Sequence, residues 1–314
     1  MLLKLIKPGS TIHLSLILSV ALSLLSGCAS LTRSYPKGKI EEDAHHPGHN
    51  ELAGLGAFPT SVYQARIKGP STYLSLMVYQ PTQYPLDAPG VVLLPGVMAS
   101  VDQYESYARA LASRGFVVAL REWYSYAHED EELAHDALFI KEWLKNEKKI
   151  DPKRIALLGH SMGAKDAMLA GLMDPSFAAI VSIDPDNQGD LSVASSDLVK
   201  LKPPLFLIGS EVSWQGPDMC APKDANYEIF YRYAPQGTLE LTLKEADHVQ
   251  MLDDPDRFGY SFCRVGSADT DATRILARSA VVAFLTERLQ AQPKSLNHLA
   301  PKGTLREKGK SEND

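Results

Sequence analysis

The chain has 314 residues, 45% of them hydrophobic, and a formal net charge of −6 at pH 7. That length allows one substantial core with flanking segments, and a negative balance without a basic stripe argues against nucleic-acid binding. Its three cysteines are too few and too widely spaced for a zinc site, and no His-Glu-x-x-His pattern supplies ligands, so neither metal nor cofactor is expected.

In chain order, Lys4 and Lys7 form a short basic region, residues 14–25 an apolar core of about a dozen residues, and Leu25-Ser26-Gly27-Cys28 follows directly. That order is the pattern of an export signal, and the apolar run is shorter than the roughly 18 residues that span a bilayer. Leu-Ser-Gly-Cys resembles a bacterial lipobox, which makes Cys28 the lipidated first residue of the mature protein. The implied location is the bacterial cell envelope, lipid-anchored, and the outer membrane in a Gram-negative cell. Residues 29–57, with Pro36, Gly38, Pro47 and Gly48, read as a polar tether. His45, His46 and His49 cluster there, outside the expected domain.

Residues 58–290 then read as one domain. Strand-like apolar runs recur at 72–80, 91–94, 116–120, 155–158, 178–183, 205–208 and 239–243, with helical patterns at 102–113, 130–146, 164–173 and 226–233. This alternation predicts an α/β fold with a mostly parallel central sheet covered by helices on both faces. Only about twenty residues separate the run ending at Ile183 from the next, so no large cap domain is expected, and Trp123 or Trp214 is expected to line an open pocket. Residues 291–314 are polar and Lys-rich without an apolar period, which predicts a disordered tail.

The chemistry concentrates at Gly159-His160-Ser161-Met162-Gly163, between the 155–158 strand and the 164–173 helix. G-x-S-x-G arises by chance about 0.1 times in a chain of this length, so its position between a strand and a helix carries the weight. In that context it reads as a nucleophile elbow, a tight turn that holds the serine Oγ out at the carboxyl end of a central strand. The base must then lie downstream. His298 falls in the polar tail, His128 and His135 precede the serine, and His248 follows the 239–243 strand through a short loop, so His248 is the candidate base. Its acid partner has three candidates: Asp184 and Asp186 after the 178–183 strand, and Glu211 one strand later, the commoner position. Two backbone N–H groups must stabilise the oxyanion, and Met162 and Val97, after the run Val91 to Leu94 that ends in Pro95-Gly96, are the candidates. Cys220 and Cys263 form an even pair in an exported chain and are expected to be disulfide-bonded around the His248 segment.

On Gly159-His160-Ser161-Met162-Gly163, Ile183-Asp184-Pro185, the block 247–254, Cys263 and the run 282–285, the chain resembles the α/β-hydrolase superfamily. Within it the resemblance is to the chlorophyllase and platelet-activating-factor acetylhydrolase-like group, and more loosely to cutinase-like polyester hydrolases, whose Pro-Gly-x-x-Ala loop is similar to Pro95-Gly96-Val97-Met98-Ala99. In that group the acid follows the strand after the elbow, and this places Asp184 ahead of Glu211 and Asp186. The resemblance implies a serine carboxylester hydrolase working through an acyl-enzyme, on short-acyl or amphiphilic small-molecule esters, as a monomer held to the membrane by Cys28. A serine peptidase or amidase, an acyltransferase, and a catalytically silent envelope binding protein are the alternatives.

Overall fold

The structure, a computed structural model, describes residues 39–310 apart from 70–71, 84, 123–128, 258, 293–295, 297–298 and 300–304. Cys28, Trp123, His128 and His298 lie outside the described residues.

Five apolar strands, β3 (Gly90–Leu94), β4 (Val117–Arg121), β5 (Ile155–His160), β6 (Ile180–Ile183) and β7 (Leu205–Ser210), are buried at every position. Continuous burial along a strand requires cover on both faces, the condition of a parallel sheet in an α/β fold. Around them the sheet runs β1-β2-β4-β3-β5-β6-β7-β8-β9, with β1 at Thr60–Lys68, β2 at Tyr73–Pro81, β8 at Leu239–Leu243 and β9 at Leu305–Glu307. Strands β3 to β8 are parallel, and β1, β2 and β9 join antiparallel. The α/β expectation with a mostly parallel sheet and no large cap holds.

Successive side chains leave a strand on opposite faces. Val92 and Leu94 therefore join the core under α3 (Asp130–Glu147), α4 (Met162–Met173) and α5 (Tyr227–Tyr233), where Ile140, Leu144, Met168 and Phe230 are buried. The other face is covered by α2 (Glu105–Ala112) and α6 (Thr270–Gln290), and Phe284 of α6 packs on Phe206 of β7 with ring centroids 5.1 Å apart. Chain order reverses at β3: β4 lies on one side of it and β5 on the other. Loops leaving β3 and β5 diverge there and open a crevice at the carboxyl ends of the strands, the place where ligands bind in such sheets.

Two boundaries differ from the sequence reading. The tether reading of 29–57 is corrected from Lys39 onward, because α1 (Lys39–Asp43) is docked on the domain. Its Asp43 carboxylate accepts from Arg278 Nη1 at 2.8 Å and from Arg274, and all three side chains are buried. The disordered-tail reading of 291–314 is corrected at its end, where β9 pairs with β8, Arg306 forms an ion pair with Glu240, and Lys308 Nζ donates to the carbonyls of Tyr231, Arg232 and Ala234 at the end of α5. At α1 the buried ion pairs accompany a single buried apolar side chain, Ile40, and β9 is held by backbone pairing and polar side chains, so neither segment shows a hydrophobic period.

Candidate active site

Ser161 lies in the turn between β5 and α4 with φ 57° and ψ −129°, a backbone region that non-glycine residues occupy only when the surroundings impose it. The flanking glycines are required by crowding. A Cβ on Gly159 would stand 2.2 Å from the Gly163 carbonyl oxygen, and one on Gly163 would stand 2.2 Å from the Pro95 carbonyl oxygen. The turn is thereby pressed against the loop after β3, which also carries Met98 at φ 63°.

His248 occupies the loop after β8. Asp247 shapes that loop: its buried carboxylate accepts the N–H groups of Val249 and Gln250, both at 3.1 Å, and those of Val265 and Gly266 at 2.9 and 2.8 Å. The imidazole Nδ1 lies 2.7 Å from Asp184 Oδ2, and Nε2 lies 2.8 Å from Ser161 Oγ. A carboxylate only accepts, so Nδ1 carries the hydrogen and Nε2 is left to accept the serine O–H. The other Asp184 oxygen accepts the Ser210 N–H at 2.8 Å, and Asp184 itself sits at φ 39°. Burial acts to lower the His248 pKa, but the hydrogen bond and charge of Asp184, with Asp186 and Asp247 behind them, outweigh it and the value is raised. This is the arrangement that lets a serine lose its proton to a held imidazole as it attacks a carbonyl.

Of the three acid candidates, the structure brings Asp184 to the histidine. Glu211 faces outward, accepting from Lys244 Nζ at 2.8 Å and the Glu245 N–H at 2.9 Å, and the Lys244 hydrogen bond lowers its pKa. Asp186 lines the cavity wall, its carboxylate taken by the Gln188 N–H and side-chain amide, both at 3.1 Å, and burial raises its pKa.

Ser161 opens onto a cavity of about 130 Å³ whose apolar lining includes Val97, Met98, Met219, Leu252 and Phe262. Val97 and Met162 both line it, and among the described residues neither backbone N–H has an intramolecular acceptor, as holds for the first amides of a helix at Met162. Cys220 and Cys263 are disulfide-bonded across 43 residues of sequence, and Cys263 reaches the cavity wall. The Trp214 expectation is corrected: its indole is half-exposed, donates to the Glu211 carbonyl at 3.1 Å and stacks under Lys223, outside the cavity. Among the described residues no group of three or more His, Cys, Asp or Glu is placed to hold a metal ion; His46 instead faces Asp269 at 3.4 Å.

Sequence reading passed over Tyr104, His160 and Asp247. The first two form a buried hydrogen-bonded pair beside the serine, with Tyr104 Oη 2.9 Å from His160 Nδ1. A tyrosine in a helical pattern and the variable residue of G-x-S-x-G carry no sequence signal that they meet.

Sheet order, elbow and the crevice at the reversal of strands define an α/β-hydrolase fold. Within that fold the chain belongs to the chlorophyllase family, whose family model matches residues 54–306. Relatives include Chlorophyllase-2 of Arabidopsis thaliana, 26% identical over 261 residues, which are 72% of this chain and 81% of that one. Chlorophyllase-1 of the same plant is 29% identical over 156 residues, covering 42% of this chain and 48% of that one. Chlorophyllase type 0 of Chenopodium album is 21% identical over 244 residues, 68% of this chain and 67% of its own. The expected membership of the chlorophyllase-like group holds, and it assigns the chain to the hydrolases of this fold.

Proposed function

We propose that the protein is a serine carboxylester hydrolase in which Ser161 is the nucleophile, His248 the general base and Asp184 the group that orients and stabilises the imidazolium. Ser161 Oγ attacks the ester carbonyl as its proton passes to His248 Nε2. The Val97 and Met162 amides receive the developing oxyanion, and His248 returns the proton to the departing alcohol. Water, deprotonated by the same imidazole, then releases the acid from Ser161. The observation that carries this reading is the unbroken row of hydrogen bonds from Asp184 through His248 to Ser161 Oγ, ending at a cavity.

Cavity size supports short-acyl or amphiphilic esters. A space of about 130 Å³ is near that of engineered protein cavities that hold a benzene ring, so a small acyl group enters and a larger moiety lies across the half-exposed Met98, Met219 and Phe262 at its edge. The Leu25-Ser26-Gly27-Cys28 motif supports the further proposal that the protein is a monomer anchored through lipidated Cys28 in a bacterial envelope. Cys28→Ala is then expected to leave the protein unacylated by mass and free of the membrane fraction.

The decisive experiment is hydrolysis of p-nitrophenyl esters from acetate to palmitate, with a matched anilide, by the wild type and Ser161→Ala. The expected result is ester turnover that falls with acyl length, exceeds that on the anilide, and drops about 10⁵-fold or more in the variant. Activity surviving in Ser161→Ala, or a folded wild type silent on every ester, would overturn the reading.

A further inference from the structure

Beside the Ser161–His248 contact runs a second buried row that the mechanism above leaves unused. His160, the last residue of β5, is 3% exposed, and Tyr104, just ahead of α2, is 2% exposed. His160 Nε2 lies 3.0 Å from the backbone carbonyl oxygen of His248. That oxygen can only accept, so Nε2 carries the hydrogen and Nδ1 is the acceptor for the Tyr104 O–H at 2.9 Å. Tyr104 Oη in turn accepts the Gly96 N–H at 2.9 Å. Every donor thus has an acceptor and every acceptor a donor, from Gly96 through Tyr104 and His160 to His248. The rings also pack in series, with centroids 5.8 Å apart for Tyr104 and His160 and 5.1 Å for His160 and His248.

We propose that Tyr104 and His160 are positioning residues which tie the loop bearing the Val97 amide to the loop bearing the His248 base, holding both in register around the nucleophile. This rests on the reading of Ser161, His248 and Val97 given above. The three joined segments come from different parts of the chain: Gly96 follows β3, His160 ends β5 and His248 follows β8. The loops are also joined further along, where the Asp253 N–H donates to the Gln103 carbonyl at 3.1 Å, but beside the nucleophile it is the Tyr104 and His160 side chains that connect Gly96 to His248. Gly96 is confined on its other side as well, since a Cβ there would stand 3.0 Å from both His160 Nδ1 and Ser161 Cβ. With Gly96 fixed by a hydrogen bond and by close packing, the following Val97 peptide is held where the oxyanion forms, and preorganised donors of this kind act by needing no rearrangement during reaction. At the other end, the bond to the His248 carbonyl restrains the backbone that carries the base.

The row also keeps its hydrogens during turnover. Burial, with the neighbouring His248, holds the His160 imidazole at about 3, and burial raises the Tyr104 phenol. When His248 takes the serine proton, neither neighbour competes for it.

The test compares Tyr104→Phe, His160→Phe and the double variant with the wild type on one p-nitrophenyl ester, with folding checked by near-UV circular dichroism. Each single change is expected to lower kcat about tenfold with KM within about twofold, because the loss falls on the transition state. The double variant is expected to be no worse than about the poorer single, because both changes break one row. Unchanged kcat in the folded singles, or losses that multiply to about 100-fold, overturns the proposal. ¹⁵N-histidine spectra of the wild type test the row without any variant: a neutral Nε2–H tautomer at His160 is expected, and an Nδ1–H tautomer or a charged ring at neutral pH overturns it. Ser161→Ala in the same series separates the two claims. Activity that survives it sinks the proposed function, whereas activity lost there but intact in Tyr104→Phe sinks the positioning role alone.

Discussion

Two clusters in this molecule bury charged or polar side chains, and they are built differently. In one, Asp43 of α1 is closed between Arg274 and Arg278 of α6, each at most 2% exposed, with Arg278 Nε further bonded to the Ala53 carbonyl at 2.7 Å. In the other, Asp184, His248 and Ser161 form a row that ends at a cavity, beside two amides with no intramolecular acceptor among the described residues. Backbone conformation separates them too: Met98, Ser161 and Asp184 all have positive φ at the second cluster, whereas Asp43, Arg274 and Arg278 lie in helices. Burial of charge by itself therefore says little about chemistry. What marks the second cluster is local strain together with donors and an acceptor left open toward a space that a substrate can enter.

The contrast is broken most directly at Asp184. Asp184→Asn leaves the shape of the row but favours the wrong imidazole tautomer, and kcat for ester hydrolysis is expected to fall about 10⁴-fold; a fall of less than about tenfold would place the acid elsewhere. Asp43→Ala should do the reverse. It leaves the buried Arg278 without a carboxylate and Arg274 with Asp271 alone at 2.6 Å, for which the expected loss is about 3 to 5 kcal/mol of unfolding free energy, while kcat per folded molecule stays within about twofold. Urea denaturation and active-site-normalised turnover measure the two sides, and a variant of unchanged stability would show that the Asp43 cluster is not a clamp.

A third test uses acid. Because His160 stays neutral down to about 3 while an unfolded histidine titrates near 6.5, the unfolded chain binds a proton that the folded one refuses, and stability falls as pH drops through that window. His248 has the opposite sign: its raised pKa gives a contribution that is full below 6.5 and fades as pH rises through the raised value. At about 1.4 kcal/mol per unit, His160 alone removes roughly 2 to 3 kcal/mol between about pH 6.5 and 4.5. Melting curves should show a steeper acid loss in the wild type than in His160→Phe, and parallel curves would remove His160 from the account. The smallest effect is expected at Glu211, where Glu211→Ala breaks an exposed contact with Lys244 worth about 0 to 1 kcal/mol and leaves kcat within about twofold. A large loss there would reverse the order of Asp184 and Glu211.

Much of the candidate site was legible from the chain alone. Ser161 could be read because the glycines on either side are needed by its crowded turn, and His248 because a base must follow the last central strands. Asp184 was not separable from Glu211 by residue chemistry, since both are carboxylates after adjacent parallel strands, and the resemblance to known hydrolases supplied the preference. Strand β1 went unread although Tyr63, Ala65 and Ile67 alternate with Gln64, Arg66 and Lys68 and face the core, because that alternation is short and its residues are mostly half-exposed, and β9 because three partly exposed residues carry no periodic signal.

By itself, then, the sequence determined the parallel core, the turn at Ser161, the place of His248 after the last parallel strand and the paired cysteines, all of which follow from local rules: apolar runs, glycines in a tight turn, chain order and cysteine parity. Only the tertiary structure decided which acid meets His248, that Asp43 closes on α6 from 231 positions away, and that Tyr104, His160 and Gly96 join. Those are contacts between single polar groups far apart in the chain, and their energy depends on distance and burial that no local pattern of residues encodes.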